Sequence, residues 1–212
     1  MSDDLVLYTH PMSRGRVIRW MLEETGIPYQ TQVVNYGPDM KSPAYLAINP
    51  MGKVPALRHG GMVVTECAAI CAYLADAFPA AGLAPAPGSM DRGAYYRWLF
   101  FAAGPLEQAT TARSMGWITP ADREGMVGFG TLATTLDTLE AAIAGKTYLV
   151  GDTFSAADIY VGSHLGWGMQ FGSIEKRPVF TAYWAHLSAR PAHVRASAID
   201  DALAKDHPVP GM

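Results

Sequence analysis

Two short stretches of the sequence combine residue types that could bind a small anionic peptide. The first, Asn49–Leu57, contains two proline- or glycine-bearing pairs that mark a turn leading into a strand. Because Pro55 has no N–H to donate to a central sheet, the backbone of Val54 before it is predicted to be available to an extended ligand. The second stretch, Thr65–Ile70, begins a predicted helix whose first turn presents N–H groups to an anion. Together they predict a site for a short peptide with a free carboxylate.

In one-letter code the two stretches read NPMGKVPAL and VTECAAICAYL. As a pair at this spacing they resemble the glutathione-binding signature of soluble glutathione transferases. The resemblance implies that the Val54 backbone, ahead of Pro55, pairs with the cysteinyl part of glutathione and that Lys53 contacts a carboxylate. In the family that proline is cis, but the sequence leaves the isomer of Val54-Pro55 open. The resemblance also implies that Glu66 and Cys67 grip the γ-glutamyl end. Cys67 departs from the family pattern, which usually has a hydroxyl there.

Glutathione transferases activate the glutathione thiol by a hydrogen bond to its thiolate. A charge-assisted hydrogen bond is worth roughly 1.5–3 kcal/mol, enough to lower a thiol pKa by about one unit. Ser13, at the head of a predicted helix, resembles the donor of the serine-type classes and is the favoured candidate. Tyr8 occupies the place of the tyrosine-type donor, and Thr9, His10 or a backbone N–H remain alternatives. No cysteine precedes position 67, which disfavours the cysteine-type classes.

The electrophile pocket is expected between the loop after the first strand and the first long helices of the C-terminal half. Four apolar or adaptable side chains there are candidates for its wall: Met12, Arg113, Met115 and Trp117. Methionine adapts to ligands of different shape, which suits a pocket that accepts varied apolar molecules. The sequence therefore predicts an electrophile that is mainly apolar and leaves its identity open.

Residues 1–78 show the alternation of strands and helices that positions these side chains. A buried parallel strand is predicted at Leu5–Tyr8, a helix capped by Ser13, and a second strand at Tyr29–Val34. A hairpin and a helix with Thr65 at its N-cap complete the unit. This order resembles a thioredoxin-like α/β domain, with a parallel βαβ half and an antiparallel hairpin.

Residues 79–89 are rich in proline, glycine and alanine and are predicted to be a linker, and residues 90–212 are predicted to form an all-α domain. Ser155 and Asp158 have the spacing of a capping box, within a run that resembles the buried helix of the same transferase family. The tryptophans of this half are expected mainly in the core. The predicted helices are Met90–Ala112, Pro120–Ala144, Ser155–Phe171, Val179–Ala189 and Ala192–Lys205.

The charge, the apolar runs and the cysteine and histidine content of the chain disfavour several classes of function. The chain has 212 residues and a net charge of −3, so it lacks the basic character of a nucleic-acid-binding protein. No apolar run is long enough to predict a membrane span, and the scattered histidines predict no metal site. Cys67 and Cys71, four residues apart on one predicted helix, fit a reducing cytoplasm rather than a disulfide framework. The family resemblance implies a homodimer.

The leading hypothesis is conjugation of the glutathione thiolate to an electrophile by a bacterial-like, serine-type transferase. Other glutathione-dependent reactions, such as dehalogenation, peroxide reduction or isomerisation, are the alternative enzyme hypothesis. The third hypothesis is a non-catalytic interaction module, since the same fold also serves in translation and stress proteins. Retention of Lys53, Val54 and Glu66 favours glutathione binding over this third hypothesis.

Overall fold

A four-stranded mixed sheet forms the centre of the N-terminal part of the protein, in a computed structural model that describes residues 4–209. The central strands β1 and β3 pair antiparallel, β2 pairs parallel to β1, and β4 pairs antiparallel to β3. The strands are β1 (Leu5–Thr9), β2 (Gln30–Val33), β3 (Ala56–His59) and β4 (Met62–Thr65), in the order β2-β1-β3-β4. The parallel half and the antiparallel hairpin were both predicted from sequence, and both are confirmed.

The helices of this part cover the sheet and place the loops that follow its strands. All five residues of β1 are buried, as expected for an apolar strand in the middle of a sheet. The first long helix ends at Gly26, whose positive φ of 67° allows the chain to turn and its N–H to donate to the carbonyl of Leu22. The helices are α1 (Gly15–Thr25), the short α2 (Pro43–Leu46) and α3 (Cys67–Ala77), with 3-10 turns at Asp39–Lys41 and Pro79–Ala81.

Contacts between residues divide the chain into two units. The first combines the chain up to Ala81 with the segment that begins at Arg190, and the second is Gly82–Ala189. The boundary at Ala81 falls inside the predicted linker. The last helix, α9 (Pro191–Ala204), was assigned from sequence to the helical domain, but it packs against α1 in the first unit. Charge complementarity explains this, because side chains of α1 form ion pairs with the C-terminal segment. These pairs are Arg16–Asp201, Arg19–Asp200, Glu23–Arg195 and Glu24–Arg190.

The second unit is helical. The predicted helix Met90–Ala112 divides at a π-helical turn, Ala102–Leu106, which contains Pro105; proline has no N–H to continue the ordinary ladder. The predicted helix Pro120–Ala144 is also interrupted, and only its second half is α-helical. The helices are α4 (Met90–Phe101), α5 (Glu107–Ser114), α6 (Leu132–Ile143), α7 (Ala156–Phe171) and α8 (Pro178–Ser188), with a 3-10 helix at Ala121–Met126.

The buried start of α7 is built around the carboxylate of Asp158. The predicted capping box is confirmed, because Ser155 and Asp158 each accept a hydrogen bond from the other's backbone N–H. Asp158 also accepts hydrogen bonds from the Leu149 N–H at 2.7 Å and from the Tyr183 hydroxyl at 2.5 Å. Burial raises the pKa of Asp158, although these donors oppose the shift. The capping box therefore also fastens the preceding loop and α8 to α7.

Candidate active site

The register of the sheet brings three loops of the first unit to one end of the strands. Tyr8 near the end of β1 lies opposite Ala56 at the start of β3, and Ala56 lies opposite Thr65 at the end of β4. The loop before α1, the loop before β3 and the start of α3 therefore meet at the same edge. A weak hydrogen bond from the Cys67 thiol to the Arg14 carbonyl, 3.8 Å long, links the starts of α3 and α1 directly.

Ser13 lies half-buried in the loop that leads into α1. Its hydroxyl donates to the carbonyl of His10 at 2.6 Å, and its oxygen accepts a hydrogen bond from the Gly15 N–H at 3.0 Å. The helix begins at Gly15 and its N-cap position is Arg14, so Ser13 binds the first helical N–H from one residue before the N-cap. A hydroxyl can rotate to another acceptor, so the side chain could donate to a bound thiolate.

The other candidate donors of this loop have different surroundings. Tyr8 is a buried residue of β1, with its ring 6.1 Å from that of Tyr45 in the core below the sheet end. Thr9 and His10 are fully buried. Thr9 lies directly against the helix start, since a Cβ on Gly15 would stand only 1.8 Å from its hydroxyl oxygen. Of these four candidates, Ser13 has the most exposed side chain.

The loop before β3 is fixed through its backbone. The Lys53 carbonyl accepts hydrogen bonds from the Tyr45 hydroxyl at 2.6 Å and the Asn49 amide at 2.8 Å. The Lys41 ammonium donates to the Gly52 carbonyl at 3.0 Å. Burial raises the pKa of Tyr45 to about 12, so the phenol stays neutral and able to donate. The next peptide bond, Val54-Pro55, is cis, which the sequence had left open.

The start of α3 differs from the sequence prediction in its capping. Thr65, the predicted N-cap, is the last residue of β4, because hairpin pairing extends to it. The N-cap is Glu66, which has φ 68°, a left-handed conformation that is uncommon for a residue with a side chain. Cys67 is the first helical residue and is buried. The exposed Glu66 carboxylate and the exposed Lys53 ammonium form no ion pair with any residue in the range 4–209.

The arrangement fits a small zwitterionic peptide. Unpaired charges of opposite sign, on Lys53 and Glu66, suit a ligand that carries both a carboxylate and an ammonium group. The backbone of Val54 and the first turn of α3 lie at the same end of the sheet, and the first N–H groups of a helix have no acceptor within it. Ser13 supplies a hydroxyl at the same sheet end. These groups are donors and acceptors of the kinds that a short peptide with charged ends can bind.

Two of the residues predicted for the electrophile pocket line one cavity of the second unit. Arg113 and Trp117 lie on its wall with Ala112, Ile118 and Phe129, and its volume is about 440 Å³. Met115 is 60% exposed on the turn after α5 and does not line this cavity. Met12, in the first unit, is 42% exposed. Trp117 is itself 64% exposed, so the expectation that the tryptophans are core residues is wrong for this one.

Several residues that fix the site were missed by sequence reasoning. Lys41 and Tyr45 donate to backbone carbonyls of the turn from Met51 to Lys53, and Tyr36 donates its hydroxyl to the Met12 carbonyl at 3.0 Å. No motif marks such contacts, because any side chain with a donor at the right distance could make them. Their proximity to the turns depends on the folded chain.

Residues 4–209 contain neither a candidate metal site nor a helix suited to cross a membrane. No group of three or more histidine, cysteine or acidic side chains is arranged to hold a metal ion there. Within the same residues, none of the helices has the length and apolar character needed to cross a membrane.

Comparison with known proteins identifies the family. The family profile described as "Glutathione S-transferase, N-terminal domain" matches residues 12–77, and the profile "Glutathione S-transferase, C-terminal domain" matches residues 115–191. Glutathione S-transferase GST-4.5 of Xanthomonas campestris pv. campestris is 31% identical over 174 residues, covering 78% of this chain and 83% of that protein. The chain therefore belongs to the glutathione S-transferase family, as the sequence motifs had indicated.

Solved structures agree with this assignment. A glutathione transferase from Methylococcus capsulatus is 31% identical, with a TM-score of 0.77 and coverage of 93% of this chain and 99% of that chain. A sphingomonad glutathione S-transferase, solved in complex with glutathione, is also 31% identical; its TM-score is 0.75 and the coverage is 92% and 98%. The predicted fold class, a thioredoxin-like α/β domain followed by helices, is confirmed.

Proposed function

We propose that the protein catalyses conjugation of the glutathione thiolate to a mainly apolar electrophile, and that it is a bacterial-like enzyme of the serine type. The observation that carries this proposal is the sheet end shared by the Ser13 loop, the Val54 loop and the start of α3. It is supported by the exposed side chains of Lys53 and Glu66, which form no ion pair within residues 4–209. Family membership supports it, and so does the sphingomonad relative solved with bound glutathione.

In this proposal each part of glutathione has its own contacts. The Val54 backbone, ahead of Pro55, pairs with the cysteinyl residue, and Lys53 contacts a carboxylate. Glu66 accepts from the γ-glutamyl ammonium group, and the Cys67 backbone N–H donates to the γ-glutamyl carboxylate. The Cys67 thiol is a weaker donor than a serine hydroxyl, so its sulfur contributes little.

Ser13 is proposed as the group that activates the thiol. On binding, its hydroxyl turns from the His10 carbonyl to the thiolate, while the Gly15 N–H continues to donate to its oxygen. Stabilising the thiolate relative to the thiol lowers the thiol pKa. The burial of Tyr8 in the core supports Ser13 over Tyr8.

For the electrophile we propose a binding wall in the helical second unit, with Arg113 and Trp117 on its cavity. Met12 and Met115, both with exposed side chains, stay candidate contacts from the sequence. Aromatic and aliphatic side chains line much of the cavity, beside Arg113 and Glu124, and this lining favours mainly apolar substrates. We also propose a role in detoxification, a cytoplasmic location and a homodimer. Light scattering would test the dimer, because a single chain has a mass of 22.8 kDa.

Ser13→Ala and Tyr8→Phe together test the proposed mechanism. Loss of the Ser13 hydroxyl should raise the pKa of bound glutathione by about 1–2 units and lower kcat more than it weakens binding, since one charge-assisted hydrogen bond is removed. Tyr8→Phe should have less effect. Thiolate absorption, calorimetric glutathione binding and a panel of electrophiles supply the measurements. Full activity in Ser13→Ala with loss in Tyr8→Phe would reverse the assignment, and absence of glutathione binding to the native protein would reject the function.

A further inference from the structure

The loop that carries Ser13 is held by a buried imidazole. His10 is fully buried, and its Nδ1 accepts a hydrogen bond from the Met12 N–H at 3.1 Å. The Tyr36 ring packs against the imidazole, with 4.5 Å between centroids, and its hydroxyl donates to the Met12 carbonyl at 3.0 Å. Both backbone polar groups of Met12 are thus bound by side chains, so the conformation of the turn depends on His10 and Tyr36.

The same turn fixes the Ser13 hydroxyl. The Ser13 hydroxyl donates a hydrogen bond to the carbonyl oxygen of His10, with 2.6 Å between the oxygens. The Ser13 oxygen accepts a hydrogen bond from the Gly15 N–H at 3.0 Å. These bonds join the imidazole, the Met12 backbone and the serine side chain into one short network within six residues. A shift of Met12 would move the Ser13 oxygen relative to the start of α1.

The network requires one protonation state of His10. Because Nδ1 accepts a hydrogen bond, the proton of the neutral imidazole is on Nε2, which is buried with no hydrogen-bond partner within residues 4–209. An imidazolium would carry a second N–H at Nδ1, facing the N–H of Met12. Protonation of His10 would therefore replace the hydrogen bond between the Met12 N–H and Nδ1 by a repulsion between two N–H groups.

The surroundings of His10 favour its neutral form. Burial, followed by the nearby His207, lowers the pKa of His10. His207 contacts the Asn35 oxygen at 2.8 Å, and the Asn35 amide donates to Asp39 at 2.9 Å. Two further titratable groups are Tyr36, which packs against the imidazole, and Arg14, whose charge acts on Tyr36. Burial raises the pKa of Tyr36, which is therefore a neutral phenol at physiological pH, and the charge of Arg14 only partly opposes this shift.

We propose that His10 is a positioning residue for thiol activation: its neutral imidazole, through Nδ1, holds the Met12–Ser13 turn so that the serine hydroxyl can reach the glutathione thiolate. The inference rests on the proposed function of Ser13. It adds a pH dependence to that function, because protonation of His10 at acidic pH would release the turn. His10 itself touches no reacting atom in this scheme.

The test compares His10→Asn with His10→Leu. The asparagine oxygen can stand near the place of Nδ1 and accept the Met12 N–H without titrating, whereas leucine offers no acceptor. In His10→Leu we expect the pKa of bound glutathione to rise by about one unit and kcat to fall about tenfold, with glutathione affinity within about twofold of native. His10→Asn should keep a near-native pKa of the bound thiol and a near-native kcat at neutral pH. In a profile of kcat against pH, it should lose the part of the decline at acidic pH that protonation of His10 causes.

Amide hydrogen exchange at Met12 gives a readout that does not require activity. At one pH, the Met12 amide should exchange at least about tenfold faster in His10→Leu than in His10→Asn. In the native protein the protection of this amide, meaning its intrinsic exchange rate divided by its observed rate at the same pH, should fall once acid protonates His10. If the native protein does not activate glutathione, the proposed function fails, yet this exchange pattern still tests the role of His10. Tyr36→Phe is the matched control: it removes only the bond to the Met12 carbonyl and should cause a smaller loss in the same direction.

Three results would overturn the inference. One is native thiol pKa and native Met12 exchange in a folded His10→Leu protein. Another is identical behaviour of His10→Leu and His10→Asn, since the acceptor would then have no role. The third is a His10→Asn protein whose kcat declines at acidic pH in the same way as that of the native protein. This result can be tested even if His10→Leu does not fold.

Discussion

Replacing Asp200 by alanine should lower the free energy of unfolding by about 3–5 kcal/mol, because it leaves the Arg19 guanidinium charged and buried. The two side chains are 1% and 0% exposed, and the Arg19 Nε lies 2.8 Å from the Asp200 carboxylate. Burial lowers the pKa of Arg19, but its attraction to Asp200 outweighs burial and raises it, so the group stays cationic. Tyr29 and Thr31 each accept a hydrogen bond from Nη1, which places the expected loss toward the lower end of the range.

The adjacent residue, Asp201, provides a matched control. It also pairs with an arginine of α1, Arg16, at 2.8 Å, but its side chain is 66% exposed. Exposed ion pairs contribute about 0–1 kcal/mol, so Asp201→Ala should change the free energy of unfolding by less than about 1 kcal/mol. In the double variant Arg19→Met with Asp200→Ala, no charge remains buried, and at least about half of the loss should be recovered.

Urea unfolding followed by circular dichroism would measure these differences, with the slope of the transition checked for each variant. Equal losses in Asp200→Ala and Asp201→Ala would refute the argument that burial makes the Arg19–Asp200 pair sensitive. An Arg19→Met/Asp200→Ala protein that is less stable than Asp200→Ala would refute it as well, since removing the unpaired charge would then have brought no benefit.

Three further predictions concern the helix starts. Gly15→Ala should reduce stability by about 1–3 kcal/mol and lower kcat, because its Cβ would lie 1.8 Å from the Thr9 hydroxyl oxygen; Thr9→Ala should restore part of both, measured by unfolding and steady-state kinetics. Cys67→Ser should bind glutathione within about threefold of native or slightly tighter by calorimetry, and weakening by more than about tenfold would contradict a backbone contact. Asp158→Ala should lower the free energy of unfolding by at least about 3 kcal/mol, because buried donors lose their acceptor; a loss below about 1 kcal/mol would contradict this.

Sequence reasoning found the candidate glutathione site because its signals are local. The turn around Gly52, the Val54-Pro55 pair and the start of α3 after Glu66 each depend on residues within a few positions of one another. The capping box of α7 was found for the same reason. The exact helix starts were less well predicted. Pairing of β4 with β3 holds Thr65 in the strand, and this moves the N-cap to the next residue.

The sequence by itself indicated the family and the fold class through the resemblance of its motifs. It also located the turns and helix starts at the sheet end, because short-range propensity and turn chemistry are present in any window of the chain. Only the tertiary structure decided that Tyr8, Ala56 and Thr65 share one register, and that α9 returns to α1 through a pair whose members are 181 positions apart, Arg19 and Asp200. The energies of such contacts depend on burial and on partners distant in the chain, and neither is visible in a local pattern.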